Sequence, residues 1–326
     1  MKFEEALYKQ EEIKKSCGSP SRTWATARKF MNWKSTAGPP NQLNIEGKLI
    51  TKASHIASKM NSFFIEKVRN IQNGLKNAPN SVEKCVSIMR GKKCNLEMRH
   101  VTVKKVLKLL KGLSGSKSIS IDELDNYSVK IAAEIIAGPL HHIVTLSLMQ
   151  CQFPTSWKYS KVIPIHKKAS KLEMNNYRPV AILSPLSKVL EKVAYEQIYG
   201  YFSKNSILHS NLHGYRQNRS TSTALLTMYD RWIKSAAAGQ ITGKVMIDLS
   251  AAFDLVDHAI LINKLKVYGV KNDFIQWIKS YLSQRYQAVW IDHSLSEFLH
   301  CSVGVPQGSI LGPLLFLVFF NDLSED

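Results

Sequence analysis

The sequence predicts a mixed α/β fold, and three observations carry that expectation. Short apolar runs alternate with stretches whose apolar residues recur at helical spacing. The run Lys244-Val245-Met246-Ile247 ends in Asp248 and is followed by the small residues Ser250, Ala251 and Ala252, a pattern for a strand that delivers a carboxylate to a sheet edge. Fifty-six residues later, Gly304-Val305-Pro306-Gln307-Gly308-Ser309 places two glycines where backbone can closely approach a ligand.

The elements follow in order. Residues 1–98 read as a helical linker-like region. After the break at Gly38-Pro39-Pro40, Ile56, Met60, Phe63, Phe64, Val68 and Ile71 share one helical face, and Asn73-Gly74 ends that helix. Residues 74–98 are polar and basic, as in a linker. Thr102 caps a helix running to Gly112, and a second helical region covers 127–150 with a kink expected at Pro139. Lys161–Lys168 reads as a strand with a basic end. Ser184-Pro185 opens a strong helix, serine as cap and proline in its first turn. Ser220 starts another through about 236, and the Asp248 strand follows. Helices are expected near 257–268 and 272–283, with Gly269 ending the first. Strands come next at 285–291 and 297–303, and a buried helix over Leu314–Phe320.

Charge constrains function more than fold. The 326 residues carry a formal charge of +19, and residues 1–160 hold 26 Lys and Arg against 12 Asp and Glu. Such an excess favours an anionic partner, nucleic acid before an acidic membrane. Five widely spaced cysteines contain no C-x-x-C, so neither a zinc site nor a disulfide framework is indicated. The amino-terminus lacks an apolar secretory stretch, which points to an intracellular protein, nuclear or cytoplasmic. The run Leu314–Phe320 is too short to cross a bilayer, and no membrane partner is expected.

Several residues are suited to phosphate chemistry. Asp248 offers oxygen ligands of the kind magnesium takes, though an aspartate there also serves as a cap for the next helix. Phe253 is placed to line a sugar pocket or to fill the core. Asp254 reads as a solvated turn residue and Asp257-His258 as a helix cap. Pro179 biases Arg178 toward extended backbone, which would aim its guanidinium at a triphosphate alongside Lys167 or Lys168. A solvated basic hairpin accounts for the same residues. Arg216 and Arg219, beside Tyr215, suit backbone phosphates or the capping of their own helix. Gln307, between Gly304-Val305-Pro306 and Gly308, would present an amide side chain and backbone amides to a nucleotide or template.

Taken in order, these segments resemble one family. Trp157-Lys158, Ile163-Pro164-Ile165-His166-Lys167-Lys168, Tyr177-Arg178-Pro179-Val180, Ser187-Lys188-Val189-Leu190-Glu191-Lys192, Gly214-Tyr215-Arg216 with Arg219-Ser220-Thr221, Asp248 with Ala252-Phe253-Asp254, and Gly304–Ser309 look like the reverse transcriptase of a non-LTR, jockey-like retrotransposon. The resemblance implies right-hand polymerase architecture: fingers at about 99–236, a partial palm at about 237–326 and no thumb. It implies magnesium, with Asp248 as catalytic metal ligand. Lys167, Lys168, Arg178, Phe253, Gln307 and Gly308 would meet the incoming dNTP, Phe253 excluding a ribose 2′-hydroxyl. Arg216, Arg219, Gly304 and Pro306 would meet nucleic acid. Partners would be an RNA template and a DNA primer.

Two departures from that family shape the expectation. The sequence stops before the family's aromatic-Ala-Asp-Asp hairpin, and Ser116–Asp122 stands where a glycine-containing turn is usual. The chain alone is therefore expected to be inactive as a polymerase, with a non-enzymatic nucleic-acid-binding remnant as the alternative.

Overall fold

The computed structural model describes residues 2–16, 22–23, 26, 30, 38–74, 82–167 and 169–325. Among them run eleven α-helices: α1 Lys2–Ser16, α2 Ala53–Gly74, α3 Glu83–Met89, α4 Val103–Lys111, α5 Asn126–Ile131, α6 Ala133–Met149, α7 Pro185–Lys204, α8 Thr221–Ala237, α9 His258–Val267, α10 Asn272–Leu282 and α11 Leu311–Phe319. Seven strands accompany them: β1 Leu43–Ile45, β2 Lys48–Ile50, β3 Tyr159–His166, β4 Tyr177–Ile182, β5 Arg285–Ile291, β6 Ser294–Leu295 and β7 Leu299–Cys301.

The larger sheet places β3 at its centre. Strand β4 pairs with it antiparallel (Ile165 opposite Arg178), and β5 pairs with it parallel (Tyr159 opposite Tyr286). The far edge of β5 carries both β6 and β7. Parallel pairing requires a long crossover, and here α7 to α10 supply it. Of these, α7, α9 and α10, with α4, α6 and α11, form the main core around Leu190, Val193, Phe202, Leu265, Tyr268 and Trp277, while α8 buries no residue. Sequence and structure agree on the caps: Thr102, Ser184 and Ser220 each accept a backbone N–H through the side chain, and Gly269 ends α9 at φ +85°.

A second core lies between α2 and the sheet. Ile56, Ala57, Met60 and Phe64 of α2 bury against Val162, Tyr177, Val289 and Ile291, and Leu43 of the small β1–β2 hairpin closes one side. Asn61 latches the helix down: its amide donates to the carbonyls of Gln287 (3.2 Å) and Glu297 (2.8 Å) and accepts from the Gln287 amide at 3.0 Å.

Three expectations need correcting. Residues 244–248 form no strand: 240–249 run as irregular chain with Val245 87%, Met246 81% and Ile247 83% exposed. An apolar run becomes a strand only with a ladder partner, and none of the described strands pairs with it. The helical region expected over 127–150 is divided at Ala132 into α5 and α6, with Pro139 inside α6. In the stretch read as a linker, 83–89 is helical and Leu96 bridges Val270. The described cysteines Cys85, Cys94, Cys151 and Cys301 are free thiols. No helix among the described residues is long and apolar enough to cross a membrane.

Candidate nucleotide and nucleic-acid cleft

A cleft of about 590 Å³ opens between α2, the β3–β4 arm and two loops, 248–254 and 302–307. It is lined by Lys167, Arg178, Asp248, Phe253, Gly304, Pro306 and Gln307, so residues scattered from 167 to 307 meet in one place.

Local rules position each of them. The backbone N–H of Lys167 donates to the Asn176 carbonyl (2.8 Å), closing the β3–β4 arm, so Lys167 and Arg178 stand near its tip. Arg178 is exposed and lies opposite Ile165. The two loops are stitched together by backbone: Val305 N–H donates to the Phe253 carbonyl (2.8 Å) and Gly304 N–H to that of Val256 (2.9 Å). A Cβ on Gly304 would sit 2.6 Å from the Asp254 carbonyl oxygen, so this approach needs glycine. Phe253 is held rigidly, stacked on Phe316 (centroids 4.9 Å) and edge-on to Tyr215 (5.6 Å). It packs against the main core and also lines the cleft.

Asp254 is not the solvated turn residue that the sequence suggested. Its carboxylate accepts the Gln307 side-chain amide at 2.8 Å inside the cleft. Burial pushes its pKa up to about 6, against the opposing pull of the Gln307 hydrogen bond and of Lys167 and Lys67. A carboxyl raised in this way favours the fold below its unfolded pKa, and that contribution is lost as pH rises through about 6. Asp254→Asn should therefore gain stability over wild type at pH 8, on the order of 1–2 kcal/mol after allowance for solvent screening. At pH 4 the advantage should vanish. Urea midpoints at the two pH values measure this, and a pH-independent difference would count against it.

Other residues fall elsewhere. Gly308, at φ +115°, packs on the Ala181 backbone rather than lining the cleft. The guanidinium of Arg216 lies outside the lining, donating to the carbonyls of His209 (2.7 Å) and Leu212 (3.1 Å). Arg219 is exposed beside the start of α8, also outside the lining. Lys168 lies outside the described residues.

One buried acid escaped the sequence reading. Glu191 of α7 is fully buried and accepts from the Ser187 hydroxyl (3.0 Å) and from the backbone N–H groups of Ile310 (2.8 Å) and Leu311 (3.2 Å). It ties the end of the 304–310 loop to the core. Burial pushes its pKa up. The available signal was an acid four residues from Ser187, within the apolar stripe of α7.

Comparison with known proteins adds to this geometry. Residues 165–326 match the family described as "Reverse transcriptase (RNA-dependent DNA polymerase)". The chain is 32% identical over 242 residues to "Probable RNA-directed DNA polymerase from transposon BS" of Drosophila melanogaster, covering 70% of this chain and 25% of that protein. It is 27% identical over 230 residues to "RNA-directed DNA polymerase from mobile element jockey" of the same species, with coverage of 70% and 25%. The protein of that name from Drosophila funebris is 28% identical over 224 residues, with coverage of 68% and 24%. The chain thus spans about a quarter of the length of these relatives.

Proposed function

Because the chain belongs to the reverse transcriptases of non-LTR retrotransposons, we propose that its cleft holds a deoxynucleoside triphosphate beside an RNA template and a primer 3′-hydroxyl, for RNA-directed DNA synthesis. The observation that carries this reading is the convergence of Lys167, Arg178, Asp248, Phe253 and Gln307 on one cleft. Lys167 and Arg178 supply phosphate contacts, the lysine as a point charge and the arginine as a bidentate fork. Phe253, fixed by Phe316 and Tyr215, presents a rigid wall to the sugar. Gln307, oriented by Asp254, presents its amide carbonyl to the base or template strand.

Reverse transcriptase domains work with divalent metal ions, and the donors here suit a hard ion such as magnesium. Asp248 and Asp254 bring carboxylate oxygens to the cleft, and a magnesium ion usually takes one or two carboxylates, completing its shell with water and substrate phosphate. Among the described residues no group of three His, Cys, Asp or Glu is placed to hold a metal by itself. Asp248 would be the ligand, since Asp254 is engaged by Gln307. Held by Asp248, such an ion would supply neutralisation of the charge that develops in phosphoryl transfer. Orientation of the triphosphate and exclusion of the wrong sugar fall to the protein side chains.

The test is dTTP binding with magnesium, followed by primer extension on poly(rA)–oligo(dT). Arg178→Ala should weaken dTTP binding by about 10–100-fold, the range for hydrogen bonds to a charged group. Any extension should vanish in Asp248→Ala. Binding indifferent to Arg178, or extension indifferent to Asp248, would overturn the assignment.

A further inference from the structure

The cleft has a wall that lies outside the matched family region. Helix α2 contributes Lys67 and Arg69 to the lining, more than ninety residues before residue 165. Neither residue stands out in the sequence, where α2 reads only as an amphipathic helix. The structure shows why they face the cleft: Met60, Asn61 and Phe64 fix the helix rotation on the sheet, and Lys67 follows Phe64 by one turn. Lys67 then reaches across, its ammonium donating to the Asn175 side-chain carbonyl at 3.2 Å, just before β4. That partner is neutral, so the charge is not cancelled.

Counting charge over the lining gives the physical case. Lys67, Arg69, Lys167, Arg178 and Arg285 face only Asp248 and Asp254. Arg285 is buried and donates to the Tyr281 carbonyl. Among the described residues, none of the other four cations lies within ion-pair distance of a carboxylate. A concave site with uncancelled positive charge concentrates anions.

We propose that α2 forms a phosphate-binding edge of this cleft, with Lys67 and Arg69 engaging phosphate groups opposite Lys167 and Arg178. The inference rests on reading the cleft as a nucleotide and nucleic-acid site, and extends that site to a helix preceding the reverse transcriptase domain. Phosphate reaches the edge from one of two sources, the triphosphate of a nucleotide or the backbone of a strand.

The full chain, with Lys67→Ala, Arg69→Glu and Lys59→Glu, tests both. Arg69 and Lys59 are both exposed on α2, and only Arg69 lines the cleft, so the two reversals alter net charge equally. Binding of dTTP, of inorganic tripolyphosphate and of an oligo(rA) strand is measured, with thermal unfolding to confirm folding. Lys67→Ala and Arg69→Glu should each weaken binding by about tenfold or more, and Lys59→Glu by less than about threefold. Loss with dTTP and tripolyphosphate assigns the edge to the triphosphate. Loss confined to oligo(rA), with the salt dependence falling by about one phosphate contact, assigns it to the strand.

The proposal fails if Arg69→Glu and Lys67→Ala match Lys59→Glu for all three probes, or if the wild-type chain binds none of them. Arg178→Ala separates the two readings. Weakening by Arg178→Ala alone keeps the nucleotide site and removes α2 from it. Weakening by the α2 variants alone keeps the phosphate edge and removes the polymerase-like assignment of Arg178.

Discussion

Replacing Glu191 with alanine is expected to destabilise the protein by about 3–5 kcal/mol, the cost of leaving several buried donors without their acceptor. The reason lies at the start of α11. The N–H groups of Ile310 and Leu311 sit where a helix leaves its first donors without intrahelical acceptors. Glu191 accepts both from a neighbouring helix, and its acceptor oxygens also favour the positive end of the α11 dipole. Alanine would strand both donors and the Ser187 hydroxyl in a site with no room for bulk water, at about 1–3 kcal/mol for each unsatisfied group. Glu191→Gln keeps one oxygen acceptor and should cost about half as much or less. Urea unfolding of the two variants decides the matter. An alanine variant within about 1 kcal/mol of wild type would mean that the loop end is held by something else.

A second large effect is expected at Gly308. At φ +115° an L side chain is strained, and a Cβ there would lie 2.4 Å from the Ala181 carbonyl oxygen, a backbone atom of β4 that cannot swing away. Next to it, the Ala181 N–H donates to the Gln307 carbonyl at 2.8 Å. Gly308→Ala should therefore push the loop off β4, at about 2–4 kcal/mol for strain plus a lost backbone bond. Gln307 would move with it, so dTTP binding should fall even in the fraction that stays folded. Gly138, inside α6 with open space around its Cβ direction, is the control: Gly138→Ala should be neutral or stabilising by up to about 1 kcal/mol. Equal midpoints for the Gly308 and Gly138 variants would refute the packing account.

These two positions also show where the sequence stops being legible. Helices α4, α7 and α8 could be bounded from it closely, because a cap and a 3.6-residue pattern are local signals. Strands β3 and β5 were legible for the same reason, from short apolar runs bounded by turns. The glycines of the 304–308 loop were recognisable as special, and the cleft gathered most of the residues proposed for it. The failures are all non-local. Asp254 looked solvated because the loop that buries it lies fifty residues downstream. Glu191, within the 187–192 segment, gave no sign of its burial because its backbone partners come from residues 310 and 311. Lys67 and Arg69 gave no signal because their place in the cleft lining depends on how α2 is rotated against the sheet. The run 244–248 misled for the opposite reason: its apolar pattern is local, but strand formation is a property of a pair.

The parallel join of β3 to β5 has a consequence for how this architecture tolerates change. Ser160 and Tyr286 touch across 126 positions of chain. Closing so long a loop costs only about 2 kcal/mol more than closing one of ten residues, because the penalty grows with the logarithm of length. Equilibrium stability is thus nearly indifferent to added length in an exposed stretch of that crossover, such as residues 238–243. Folding speed is not, since that closure must precede any reward from the sheet. Lengthening that exposed stretch would leave the core helices where they are, while making the sheet slower to close.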